Sequence, residues 1–188
     1  MRKAMSESVD IQQLKSALVR GGVSTYPLAM QAIAEFRHEV FSMLKRVAKR
    51  RATAVSQIVG GREFEENSEE VDDFLDGLDT YLSIFTEGPC GLILSVDWQN
   101  VGTSPDPVCI VAGIRCERRA TFDRVSKALQ DKFGSKITLQ RDDNECYLEK
   151  PIQRQQVDKL ESELGKICDA WIRMLRSVNV RKLIRSTP

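Results

Sequence analysis

Between Pro27 and Val59 the apolar residues Ile33, Phe36, Val40, Leu44, Val47, Ala48, Ala52, Val55 and Ile58 recur in steps of three and four. That spacing lays them on one stripe of an amphipathic helix. Gly21-Gly22 and Gly60-Gly61 bracket the stretch, Ser24 and Thr25 offer caps, and Pro27 suits a first turn, where its missing N–H has no helical partner. As one element it is roughly 48 Å long at about 1.5 Å per residue, longer than a compact domain of this size needs in one piece. Such a helix serves as a spine or a dimerisation arm.

A shorter helix is expected before it, from Ser8 to Arg20, with Ile11, Leu14 and Leu18 on one face. After it, Val71, Phe74, Leu75, Leu78, Leu82 and Phe85 keep the helical step while Glu69, Glu70, Asp72, Asp73, Asp76 and Asp79 fill the positions between. The pattern predicts an acidic amphipathic helix, weakened in the middle by Gly77.

At Gly88-Pro89 the period changes to two. Leu92, Leu94, Val96 and Trp98 alternate with Ile93, Ser95 and Asp97, and Val108 to Cys116 alternates again after the turn-rich stretch Asn100 to Pro107. These are two strands of a hairpin. Thr121 then caps a helix carrying Phe122, Val125, Leu129 and Phe133 on one face, with Gly134 past its end. Ile137 to Arg141 and Glu145 to Lys150 form a second hairpin around Asp142-Asp143-Asn144. A last helix from about Ile152 to Ser177 carries Val157, Leu160, Leu164, Ile167, Trp171 and Met174 at steps of three and four.

The expected fold class is therefore α+β. An N-terminal helical segment of three helices, one very long, precedes a four-stranded antiparallel sheet in strand-strand-helix-strand-strand-helix order, with both helices on one face. Residues 1–87 read as the helical region and residues 88–188 as the α+β sandwich domain.

Composition changes this picture little, and charge changes it more. At 29% charged and 41% apolar residues the chain has the make-up of a globular protein that buries a core. The net charge of +1 hides an uneven distribution: residues 1–88 carry 11 basic and 14 acidic side chains, and residues 89–188 carry 17 and 13. No apolar run approaches the roughly 18 residues of a spanning helix. The polar start Met1-Arg2-Lys3-Ala4 lacks the apolar core of a secretion signal, so the expected setting is the cytoplasm, away from membranes.

Candidate chemistry is sparse. Cys90, Cys109, Cys116, Cys146 and Cys168 are odd in number, contain no Cys-x-x-Cys pair and lack companion histidines. Four of them sit in expected strands or on a helix among apolar residues, so they are read as reduced, buried small hydrophobes, with a reactive thiol as the alternative, and not as a metal cage or a disulfide framework. The one histidine, His38, stands three residues after Glu35, but a di-metal carboxylate bundle needs a second such pair, and no nucleophile elbow exists for a triad. Gly21-Gly22-Val23-Ser24-Thr25 lacks the lysine of a phosphate-cradling loop and reads as a helix stop followed by a cap. The run Asp142-Asp143-Asn144-Glu145 has the spacing of a turn, not of a calcium loop. No cofactor or metal is called for.

Two basic clusters stand out. Lys45, Arg46, Lys49, Arg50 and Arg51 crowd the long helix, and Arg173, Arg176, Arg181, Lys182 and Arg185 fill a tail with no acidic residue after Asp169. Cations favour helix C-termini, and the acidic helix beginning near Glu63 can fold back to neutralise the first cluster. The leading expectation is a non-enzymatic interaction or regulatory module, homodimeric, that binds a protein partner through its amphipathic helices or sheet face. Phe36, Val40, Leu44, Phe74, Leu78 and Trp171 are its expected packing or interface residues. The alternative is a nucleic-acid-binding protein with Lys45, Arg46, Arg50, Arg181 and Lys182 on phosphates. Third comes an enzyme of unspecified reaction with Asp97, Cys109, Arg115 and Cys116 lining a pocket on the sheet.

Overall fold

The computed structural model describes residues 26–60, 81–85, 89–98 and 108–185. The chain divides into two compact units, residues 1–38 and 39–188. The expected helix from Ser8 to Arg20 and residues 61–80, with Phe74 and Leu78, lie outside the described residues.

The long helix is not one piece. Helix α1 runs Tyr26–Lys49 and helix α2 runs Ala52–Val59, with Arg50 and Arg51 in a turn between them. The Arg51 N–H donates to Ala48 O at 2.9 Å, three residues back, and the helical ladder restarts with Val55 N–H to Arg51 O at 3.0 Å. No glycine or proline marks this break, and the apolar period runs straight through it, which is why periodicity alone predicts an unbroken helix. Helix α2 ends at Gly60, whose φ of 78° lies in the left-handed region that a side chain disfavours.

The strands build a five-stranded antiparallel sheet among the described residues, in the order β1-β2-β3-β5-β4. They are β1 Tyr81–Phe85, β2 Cys90–Asp97, β3 Val108–Cys116, β4 Thr138–Gln140 and β5 Glu145–Ile152. The four expected strands are β2 to β5, and β1 adds a fifth at the β2 edge. Residues 81–85, expected to close the acidic helix, pair instead with β2 from Tyr81 opposite Asp97 to Phe85 opposite Ile93. A short apolar run such as Tyr-Leu-Ser-Ile-Phe fits both periods, and pairing decided between them. Two helices, not three, therefore precede the first strand among the described residues.

The central pairing of β3 with β5 requires Gly113. A Cβ there would stand 2.6 Å from the Tyr147 Cβ and 2.8 Å from the Cys146 carbonyl oxygen. Between the two hairpins lies helix α3, Arg119–Phe133, which starts two residues before the expected cap Thr121. Gly134 follows its end at a φ of 58°. After β5, a 3-10 stretch Arg154–Lys159 leads into helix α4, Leu160–Ser177. The last helix thus begins later than its apolar spacing suggests, because β5 extends to Ile152 opposite Val108. Asn179, at a φ of 53°, then turns the chain into a short helix α5, Val180–Arg185.

Alternation along the strands places one apolar face under the helices. Leu92, Leu94 and Val96 of β2 and Ile110, Ala112 and Ile114 of β3 join Leu44 and Val47 of α1, Phe122 and Leu129 of α3, and Leu164 and Trp171 of α4 in one core. The strand-strand-helix-strand-strand-helix order holds from β2 onward, and its helices cover a single face of the sheet. No described helix is long and apolar enough to cross a membrane.

Candidate functional site

Arg51 sits where the helical ladder fails, and its side chain repairs the failure. The Val47 carbonyl, which the Arg51 N–H would bond in a continuous helix, instead accepts from the Arg51 guanidinium Nη1 at 3.2 Å. The same guanidinium reaches α4. Its Nε and Nη2 donate to the Asp169 carboxylate at 2.7 and 2.8 Å, and Nη2 also donates to the Gly165 carbonyl at 3.1 Å. A planar fork meeting a planar carboxylate is the strong geometry for such a pair. Asp169 is held below the usual carboxylate range by that hydrogen-bonded guanidinium, and Arg51 is raised in return.

One helical turn before Arg50, Arg46 repeats the pattern. It donates to Glu161 at 2.9 Å and to Glu39 at 3.1 Å, while Arg50 adds a second contact to Glu161 at 3.0 Å. The hydrogen bond to Arg46 lowers Glu161 below its ordinary value. Glu161, Gly165 and Asp169 follow in steps of four along α4, so one stripe of that helix meets the arginines with carboxylate, glycine, carboxylate. Between the two elements lies an open groove of about 640 Å³ lined by Val47, Arg50, Arg51, Asp158, Lys159, Glu161, Ser162, Gly165, Lys166 and Asp169.

The three arginines of the first basic cluster are thus matched by Glu39, Glu161 and Asp169. Lys45 lies 4.8 Å from the centre of the Phe41 ring. The second cluster is different. Arg181, Lys182 and Arg185 are exposed on α5, whose Val180 is fully buried and whose Leu183 and Ile184 pack on the core. The two clusters do not merge into one surface chemistry.

Of the expected interface residues, Val40, Leu44 and Trp171 are buried together in the core, whereas Phe36 is 51% exposed. On α4 itself, Glu163 is a buried carboxylate that accepts from Lys150 of β5 and, at 2.6 Å, from Lys166. The two ammonium groups hold it down at about 2.

The sheet-pocket set does not assemble. Asp97 and Cys109 are direct partners across β2 and β3, and Arg115 follows on the same face of β3 near Glu145. Cys116 points to the opposite face and is disulfide-bonded to Cys90. That bond also corrects the reading of all five cysteines as reduced. Cys116 N–H donates to Asn144 O on the β5 side, so Cys90 and Cys116 face each other as a non-hydrogen-bonded pair with Cα atoms 4.1 Å apart. Spacing in sequence could not reveal this, because the register of the hairpin brings together residues 26 positions apart. Burial raises the remaining thiols, Cys109 modestly and Cys146 and Cys168 to about 12.

Sequence reading missed Glu161 and Asp169 as the counterions of the first cluster. The available signal was their four-residue step through Gly165 on a strongly amphipathic helix. Compared with known proteins, the chain matches no family model, no curated relative and no solved structure.

Proposed function

We propose that this protein is a non-enzymatic interaction module that self-associates through the N-terminal part of α1 and presents a protein-binding surface. The observation that carries the reading is the exposure of Leu28 at 67%, Ile33 at 49% and Phe36 at 51% on that helix. A single exposed apolar residue is ordinary. Three large ones fall within nine positions of one helix: Leu28, Ala32 and Phe36 keep the step of four that Val40 and Leu44 continue, and Ile33 flanks Phe36 at a step of three. Two copies of such a row bury each other by side-chain interdigitation along a helix pair.

The test is light scattering on the full chain across a concentration series, with Leu28→Glu and Ile33→Glu as single variants. The wild type is expected at twice the 21.3 kDa chain mass, and each variant at the monomer mass with unchanged helical content. A wild type that stays monomeric at every concentration sinks the reading.

The proposed setting is the cytoplasm. The Cys90–Cys116 bond weighs against that placement and makes it testable, because reducing compartments keep such pairs as thiols and oxidising ones keep the bond. In cells lysed in an alkylating reagent, alkylation of both cysteines keeps the cytoplasm and makes the bond an oxidised form, and recovery of the linked pair moves the protein to an oxidising compartment.

A further inference from the structure

We infer that the corner where α4 ends and α5 begins is a docking surface for the phosphate backbone of a nucleic-acid duplex, made by Arg176, Arg181, Lys182, Arg185 and Lys132. Its residues come from separate elements that the fold gathers. Arg176 stands exposed in the last turn of α4, and the turn at Asn179 sets α5 beside it. Helix α5 has its apolar side on the core through Val180, Leu183 and Ile184, so Arg181, Lys182 and Arg185 take the outer side. Lys132, near the end of α3, donates to the Ser177 carbonyl at 3.0 Å, which fixes its ammonium at the same corner.

What separates this corner from the first basic cluster is compensation. Arg46, Arg50 and Arg51 each hold a carboxylate, whereas among the described residues Arg176, Arg181, Lys182 and Arg185 hold none. No acidic residue follows Asp169 in the sequence, and Asp169 is occupied by Arg51. Helix α2, which packs on α5, carries no charged side chain. On α3 the nearest acid in sequence is Asp131, one position from Lys132. Unbalanced like charges repel one another and gain most from an anion that spans them.

The chemistry selects among anions. Three of the four charges from α4 and α5 are arginines, whose planar forks suit phosphate oxygens. The ring beside these five residues is Phe133, partly buried on the core with the Lys132 ammonium 5.9 Å from its centre, so a single strand would find no open row of rings to stack on, and a duplex read through its backbone is the matching form. A helix that inserts into a lipid surface also needs an exposed apolar face, and that of α5 is spent on the core, which leaves charge alone to hold a membrane there.

The experiment is fluorescence anisotropy of a short labelled DNA duplex of mixed sequence titrated with the full-length protein. Wild-type affinity is expected to fall roughly 100-fold between about 50 and 200 mM salt, the slope of about four phosphate contacts. The charge reversal R181E/K182E/R185E, shown folded by circular dichroism, is expected to lose at least about tenfold in affinity at low salt, and neutralising Arg176 or Arg185 alone to reduce the salt slope by about one. R46Q/R50Q is expected to bind within about twofold of the wild type, since those charges are already matched. Absence of duplex binding at low salt overturns the inference, as does binding indifferent to salt or to the reversal. Equal or tighter binding to polyglutamate, or to vesicles rich in phosphatidylserine, also overturns it, by assigning the corner to an acidic protein or to a membrane. The readout is independent of self-association, which the α1 variants report separately.

Discussion

Arg51 and Asp169, 118 positions apart in sequence, meet in a two-pronged ion pair that ties the break between α1 and α2 to the middle of α4. The same guanidinium caps Val47 and lies on the Gly165 backbone, so one side chain that is only 17% exposed serves both helices.

Arg51→Ala should cost about 2 kcal/mol, the loss of charge-assisted hydrogen bonds around a part-buried group. That corresponds to a fall in Tm of roughly 6 °C for a chain of this size. Gly165 completes the test. A Cβ there would approach Arg51 Nη2 to 3.0 Å, so in the wild type the gain of about 1 kcal/mol that alanine brings to a helix interior is offset by displacing the guanidinium. Gly165→Ala should stabilise the Arg51→Ala protein and leave the wild type no more stable. Additive effects in thermal denaturation of the four proteins would contradict the close approach.

Acid should weaken the fold through α4. Glu163 is lowered to about 2 by Lys150 and Lys166, and Glu161 and Asp169 are lowered by their arginines. A carboxylate with a depressed folded value binds protons more readily when unfolded. Its stabilising contribution is therefore complete above the unfolded value near 4.3 and drains away as pH falls toward about 2. Thermal denaturation from about pH 6 down to about pH 2 should show a steep loss of Tm, with a shallower loss in Glu163→Gln. Parallel curves for the two proteins would remove Glu163 from the account.

The cysteines should sort by environment. With the thiols of Cys146 and Cys168 near 12, native protein at neutral pH should leave both unalkylated by iodoacetamide until denaturant is added. Cys109, half-buried and less strongly raised, should be the first to react. In protein purified under oxidising conditions, Cys90 and Cys116 should appear as a linked peptide pair by mass spectrometry. Closing a 26-residue separation restricts the unfolded chain by about 3.5 kcal/mol in the chain-entropy view, so reduction should lower Tm by roughly 10 °C. An unchanged melting curve with reductant would show that the link adds nothing.

Much of the fold was already written in local pattern. The period-two runs around Leu92 and Ile110, the turn at Asp142-Asp143-Asn144 and the three-and-four spacing through Phe122 and Leu164 each specify an element without help from distant residues. The apolar stripe of α1 and the bare charge of the tail were legible for the same reason: each lies within a single stretch of chain.

Tertiary structure decided what depends on partners far away. Nothing near Arg51 in sequence stops a helix; the stop is held by Asp169 and Gly165. Residues 81–85 became a strand because β2 offered an edge, and Cys90 met Cys116 because hairpin register placed them opposite. Sequence alone also made two equivalent basic clusters, and the fold made them unequal by supplying Glu161 and Asp169 to one. Local periodicity fixes which face of an element is apolar, whereas charge compensation, register and helix breaks are set by pairs of groups that only folding brings within a few ångströms.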